Sequence, residues 1–262
     1  MKGGANMTCR LRPLSRQEVR HLDAKAVKQL GLPTLILMEN AGRGAAAWLV
    51  KLAVGAGTEL AAQPFSALPS AELELLPPPA LPRVLILSGP GNNGGDGAVV
   101  ARHLDAWGLA VQIVWFANRE QLRGDAKTQW TILERSGVDQ TAWFSSQSAD
   151  PRPSELQSLV ADADWLVDGL LGTGLTRPVE GPMQTVIEVM NGSNKPILAL
   201  DVPSGLDADT GMPLGTAIRA RATATFAAPK LGFAVAGAVA FTGEVAVIDI
   251  GLPRRLLKEF LA

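Results

Sequence analysis

The amino-acid sequence predicts an α/β fold built on a doubly wound, mostly parallel sheet. Three observations carry that expectation. Short apolar runs, VLILS, VQIVWFA, WLVDGL and PILALDV, alternate with helical stretches, the rhythm of buried parallel strands joined by crossover helices. Polar and glycine-rich residues gather directly after three of those runs, where an open α/β sheet binds its ligands. A chain of 262 residues that is 47% hydrophobic can bury one sizeable core, so one main domain is expected.

The elements follow in order. Ser15-Arg16-Gln17-Glu18 reads as a capping box, with the serine hydroxyl taking an early helix amide and the glutamate reaching back. It predicts a helix from about Arg16 to Leu30, stopped by Gly31 and Pro33. A second helix runs through LILMENAGRGAAAWLVKLAV, where Ala and Gly permit close packing, so two N-terminal helices occupy about residues 15–54. Prolines interrupt any periodicity between Gly55 and Arg83, and the PPP there favours an extended polyproline conformation. This reads as an inserted loop or linker ahead of an α/β core at about residues 84–253.

Within the core, VLILS is followed by a helix from about Asp96 to Trp107, then VQIVWFA, then a helix over QLRGDAKTQWTILERSG. TAWF, a helix near Pro153 to Ala161, WLVDGL, a helix near Gly181 to Met190, and PILALDV continue the pattern. The tail changes character: ATATFAAP and GEVAVIDIG are strands separated by glycine-rich residues without room for a full helix. They are expected to join the sheet in mixed orientation. No internal repeat is found.

Composition narrows the function classes. A formal net charge of −1 with no long Lys/Arg run offers no footprint for a nucleic-acid backbone or an acidic membrane surface. No span is long enough to cross a bilayer, and a small-molecule partner is expected. The single cysteine, Cys9, can build neither a disulfide framework nor a thiolate cluster within the chain, which fits a reducing compartment. The basic, acid-free first seventeen residues faintly resemble a transit peptide, but no apolar segment of a secretory signal follows. A cytoplasmic location is the expectation.

The segment GPGNNGGDG, residues 89–97, fits the dinucleotide fingerprint through Gly89, Gly91 and Gly94. Asp96 sits at the expected helix start, where a carboxylate repels a pyrophosphate but serves well as an N-cap. No Lys-Ser or Lys-Thr follows the glycines, so a P-loop is excluded. Read alone, the segment is equally a tight strand-to-helix turn.

Two later strand ends change the balance. Asp168 follows one strand and Asp201 another, and three such loops can converge on one crevice. Asp168 can also simply cap its GLLGTGL turn, Gly172 and Gly174 can serve backbone conformation alone, and Ser204 can make a local turn bond. Asp201 ends an apolar run just before Pro203, a position poised for proton transfer or hydroxyl binding. Asn93, Asp168 and Ser204 together offer hard oxygens suited to a group-one or group-two cation. His103 reads as packed beside Val100, Leu104 and Trp107, His21 as surface, Met38, Glu39 and Trp48 as helix packing, and Lys230 as an exposed loop lysine. There is no HExxH, no GxSxG and no tyrosine, so zinc proteolysis, this class of serine hydrolysis and tyrosine-based reduction lack their parts.

LMENAGRGAA, SGPGNNGGDGAVVARHL, DGLLGTGLTRPVEGP, LALDVPSGLDADTG, FAAPKLG and GEVAVIDIGLP, in this order across roughly residues 15–253, closely resemble the NAD(P)H-hydrate epimerases, the YjeF N-terminal domain family. The resemblance implies a three-layer α/β/α Rossmann-like sandwich, usually a homodimer, that interconverts the R and S hydrates of NADH and NADPH. It implies that Asn92, Asn93, Gly94, Gly95, Asp96, Gly172, Thr173, Gly174, Leu175, Thr176, Arg177, Pro178 and Asp201 contact the hydrated nucleotide. Asn93, Asp168 and Ser204 would hold a potassium ion, and Asp201 is the candidate catalytic acid and base. Many bacterial relatives continue into an ADP-dependent dehydratase; here a separate ADP- or ATP-dependent dehydratase on another chain is the expected partner in repair. Related domains in scaffold proteins provide the alternative, a binding module of the same fold without catalysis.

Overall fold

The computed structural model describes residues 11–54, 81–143 and 153–261. Cys9 and nearly all of the proline-rich stretch fall outside these residues. Seven strands form one sheet: β1 Val84–Ser88, β2 Val111–Trp115, β3 Asp139–Ala142, β4 Trp165–Gly169, β5 Ile197–Leu200, β6 Ala222–Phe226 and β7 Glu244–Ile248, in the order β3-β2-β1-β4-β5-β6-β7. Every pairing is parallel. The order reverses between β1 and β4, which places a topological switch point at their C-terminal ends.

Alternation along the strands makes the three layers. Val84 and Ile86 of β1, Trp165 and Val167 of β4, and Leu198 and Leu200 of β5 join one apolar cluster; Leu85, Leu87, Leu166, Ile197 and Ala199 join another. This is the period of two expected of a pleated strand buried on both faces. The first cluster takes in helices α1 Arg16–Leu30, α2 Thr34–Val54, α3 Asn92–Ala106 and α4 Gly124–Ser136. The second takes in α5 Pro153–Asp162 and α6 Pro182–Gly192. Two one-turn helices, α7 Val239–Thr242 and α8 Arg254–Leu257, complete the α-helices of the described residues.

The capping box forms as expected: Ser15 accepts the Glu18 amide, Glu18 accepts the Ser15 amide at 2.9 Å, and Gly31 ends α1 in the left-handed conformation. The residues just before α1 are tied to the far side of the sheet. Leu14 donates to the Pro229 carbonyl at 2.9 Å, and its own carbonyl accepts from Leu231 at 2.8 Å. That pairing fixes α1 beside Lys230, with consequences for the site.

Three expectations are corrected. Helix α3 begins at Asn92 with Gly91 as its N-cap, so Asp96 lies inside the helix and caps nothing. A glycine-rich start opposes helix propensity by roughly 1 kcal/mol per glycine, but the tight approach of this turn to neighbouring backbone overrides it. Strand β3 begins at Asp139, ahead of the predicted TAWF, and Phe144 lies outside the described residues. Strand β7 is parallel to β6, not mixed. Residues 227–243 hold a short 3-10 helix, Leu231–Ala234, and α7, which together make a crossover without a long helix. Among the described residues, no helix is long and apolar enough to cross a membrane.

Candidate active site

The turns after β1, β4, β5 and β6 meet helices α1 and α2 around a cavity of about 600 Å³ at the C-terminal edge of the sheet. Gly89 brings the turns after β1 and β4 together, and Gly94 lets the start of α3 pack on the first of them. A Cβ on Gly89 would lie 1.9 Å from the Leu170 carbonyl oxygen, and one on Gly94 would lie 1.9 Å from the Gly89 carbonyl oxygen. Gly89 and Gly94 of the apparent fingerprint therefore serve contact between protein backbones, while a Cβ on Gly91 would meet nothing within 4 Å.

Most residues singled out in the sequence reach this cavity. Asn92, Asn93 and Asp96 line it from α3, Gly172, Thr173, Gly174, Leu175, Thr176 and Arg177 from the turn after β4, and Asp201 from the end of β5. Gly94, Gly95 and Pro178 stand behind the wall; Gly95 faces the Met38 side chain. Asp168 and Ser204 are also behind it, fully buried and bonded to each other. Ser204 Oγ donates to Asp168 Oδ1 at 2.5 Å, and the Ser204 amide donates to Asp168 Oδ2 at 2.7 Å. The Leu171 amide donates to Ser204 Oγ at 2.8 Å. Asp168 and Ser204 thus join the β4 and β5 turns, and Asp168 also accepts the Leu170 amide of its own turn at 3.2 Å. Burial pushes Asp168 up to about 6, against the bonds from Ser204 and Leu170 that favour its ionised form. Asn93 donates to the Leu171 carbonyl at 3.0 Å, while its buried Oδ1 has no hydrogen-bond partner among the described residues. An orphaned buried oxygen is uncommon and points to a group that the protein itself does not supply.

Asp201 occupies the left-handed region, with φ 63°, a conformation unusual for a residue with a side chain. It is held there by its amide, which donates to the Ala224 carbonyl at 2.8 Å, and by the Phe226 amide, which donates to Oδ1 at 3.2 Å. Lys230 Nζ lies 2.6 Å from the same oxygen. The expectation of an exposed Lys230 is overturned: its side chain is wholly buried and also donates to Thr225 Oγ1, the Phe226 carbonyl and the Ala228 carbonyl. A buried ammonium needs such a full set of acceptors.

Sequence reasoning missed Asp23, on α1, and Asp125, on α4; both line the cavity. Asp23 shares a helix face with the buried Val19, Leu22 and Ala26, and a carboxylate on an apolar stripe is the signal that could have found it. Burial and then the Asp201 charge push Asp23 up to about 6, with Lys230 opposing. Burial pushes Asp96 well above the ordinary carboxylate range, reinforced by Asp201, Asp23 and Asp125. Arg16, the first residue of α1, ties two turns together: it donates to the Leu175 carbonyl at 2.6 Å and to Asp207 Oδ2 at 2.5 Å. His103 is a packing residue as expected, 2.8 Å from Glu39 and against Trp107, and His21 is exposed.

Residues 34–232 match the family described as YjeF-related protein N-terminus. The chain is 41% identical over 250 residues to an NAD(P)H-hydrate epimerase of Rhodopirellula baltica, covering 95% of this chain and 88% of that one. It is 38% identical over 244 residues to an NAD(P)H-hydrate epimerase of Pirellula staleyi, covering 93% and 94%. It is 36% identical to the bifunctional NAD(P)H-hydrate repair enzyme Nnr of Thermofilum pendens, covering 92% of this chain and 40% of that longer protein. The crystal structure of yeast ynu0 shares the fold, with a TM-score of 0.72 at 22% identity, covering 95% of this chain and 93% of that one.

Proposed function

The chain belongs to the family of YjeF-related protein N-termini, and we infer from this membership and the site that it is an NAD(P)H-hydrate epimerase, an isomerase. The reaction it catalyses interconverts the R and S forms of hydrated NADH and NADPH. The observation that carries this reading is Asp201, strained, paired with buried Lys230 and facing a cavity at the switch point of the sheet.

The chemistry follows from the substrate. A nicotinamide hydrate bears its hydroxyl on a carbon next to the ring nitrogen. Protonation of that oxygen lets the nitrogen lone pair expel water and flatten the carbon; water returning to the other face inverts it. Asp201 is the residue proposed to move this proton, a role typically worth roughly 10²–10⁴-fold in rate. Both contacts from Lys230 and the Phe226 amide fall on Oδ1, so Oδ2 has no partner among the described residues. Asn92, Asn93, Asp96 and the run Gly172 to Arg177 surround the space the nucleotide would fill. Gly94, Gly95 and Pro178 act from behind by shaping those turns.

Potassium belongs to the same proposal. The donor set is all oxygen: the orphaned Asn93 Oδ1, the Asp168 carboxylate and Ser204 Oγ, a set suited to a hard, weakly demanding cation. Such an ion would supply fixed positive charge and order the turns after β1, β4 and β5. A homodimer is supported by the exposed Val245 and Val247 on the edge strand β7. A cytoplasmic location and a separate ADP- or ATP-dependent dehydratase complete the proposal; bifunctional relatives carry the word repair in their names. Incubating the protein with partly hydrated NADH and following the R to S ratio by chromatography tests the reading. An unchanged ratio at micromolar protein would favour a binding module instead.

A further inference from the structure

Epimerisation asks for a proton at one moment and a base at the next, and the cavity holds more than one carboxyl able to serve. Asp201 Oδ1 is committed to Lys230 at 2.6 Å and to the Phe226 amide at 3.2 Å. Water leaves one face of the carbon and returns to the other, so inversion is served by a proton donor on one face and an acceptor on the opposite one. Asp23 is the counterpart of Asp201. It lines the same cavity from α1, and its carboxyl has no hydrogen-bond or ion-pair partner among the described residues. It is also close enough to Asp201 and Lys230 for their charges to act on it. Its position is not accidental, because the backbone bonds between Leu14 and the strand-end segment that carries Lys230 set the start of α1 against this site. Asp96 adds a second carboxyl without a hydrogen-bond or ion-pair partner among the described residues, with only 8% of its surface exposed.

We propose that Asp23 is a second catalytic acid–base group, working in alternation with Asp201. In one direction the Asp23 carboxyl gives its proton to the hydroxyl; the carbon–oxygen bond breaks with its electron pair on oxygen, and water leaves. The nitrogen lone pair forms the carbon–nitrogen double bond, and the cationic ring is balanced by the Asp23 and Asp201 carboxylates. Water then bonds to the opposite face of the carbon, the double-bond electrons return to nitrogen, and the water proton passes to Asp201. The two carboxyls end with exchanged protonation, ready for the reverse conversion. Asp96, more deeply buried and facing Asp201, Asp23 and Asp125, is held well above the ordinary carboxylate range by that burial and those charges. The other charged groups lining the cavity are Arg20 beside Asp23 on α1, Asp125 on α4 and Arg177 after β4. The value of about 6 for Asp23 lies near the working range of an efficient proton carrier.

The proposal rests on the epimerase reading and is tested with the whole chain, hydrated NADH and subtraction of the spontaneous rate. Asp23→Asn should lower the rate of R to S equilibration by roughly 10²-fold or more, while nucleotide binding by calorimetry changes little. The wild-type kcat/KM should fall as pH rises past the Asp23 transition. That limb should vanish in Asp23→Asn and return, with much of the rate, in Asp23→Glu. An active wild type with no such limb, or an Asp23→Asn protein with wild-type rate and an unchanged profile, overturns the proposal. An inactive wild type overturns instead the epimerase reading beneath it. Should Asp23→Asn not fold, the wild-type limb and its displacement in Asp23→Glu decide the question.

Discussion

Lys230 Nζ meets Asp201 Oδ1 at 2.6 Å with the lysine side chain wholly excluded from solvent. Removing one member of a buried pair leaves the other without compensation. Lys230→Met should therefore lower stability to urea by about 3 kcal/mol and abolish epimerisation. Lys230→Arg should restore neither, because a planar guanidinium cannot reproduce an ammonium bonded to Thr225, Phe226 and Ala228. Wild-type stability in Lys230→Met would show that the pair is incidental.

The unpartnered carboxyls should appear in the pH dependence of stability. Asp23, pushed up to about 6, and Asp96 are both raised above the ordinary carboxylate range by burial and neighbouring carboxylates. Their stabilising contribution is complete below the unfolded value near 4 and is lost as pH rises through the folded values. Asp96→Asn removes its share of this loss. Its melting temperature should exceed that of the wild type at pH 8 and fall less between pH 5 and pH 8. Equal slopes for the two proteins would contradict the assignment.

Arg16 connects the turn after β4, through Leu175, to Asp207 beyond β5. Without it, the wall formed by Gly172 to Arg177 loses an anchor whose charge-assisted bonds are worth about 1.5–3 kcal/mol each. Arg16→Ala should raise KM for the hydrate by about 10-fold or more, with kcat changed far less, and Arg16→Lys should recover part of the loss. A fall confined to kcat would place Arg16 in a different role.

Potassium should stabilise the protein through Asn93, Asp168 and Ser204. The melting temperature should be higher in potassium chloride than in tetramethylammonium chloride at equal ionic strength, and Asn93→Ala should erase the difference. If both salts give the same melting temperature and turnover, this part of the account is wrong.

Much of this was legible in the sequence. The apolar runs of β1, β4 and β5 and the capping box of α1 are local patterns, and local patterns need no tertiary knowledge. The polar turns after those strands could be recognised as one crevice because parallel sheets place their strand ends together. Lys230 could not be read as buried, since its acceptors include Asp201 and a set of backbone carbonyls that no residue pattern announces. Asp23 was hidden for a related reason: it sits on a helix whose approach to the cavity depends on the pairing of Leu14 with residues 229–231. The glycine-rich start of α3 and the parallel entry of β7 likewise depend on close packing and on a crossover path, which override local propensity.

The most direct test of the central claim compares the wild type with Asp201→Asn on hydrated NADH, measuring R to S equilibration by chromatography and nucleotide binding by calorimetry in the same buffer. The wild type should equilibrate the two forms, while Asp201→Asn should bind the nucleotide but equilibrate it roughly 10²-fold or more slowly. An Asp201→Asn protein that both binds and epimerises at the full rate would contradict that claim.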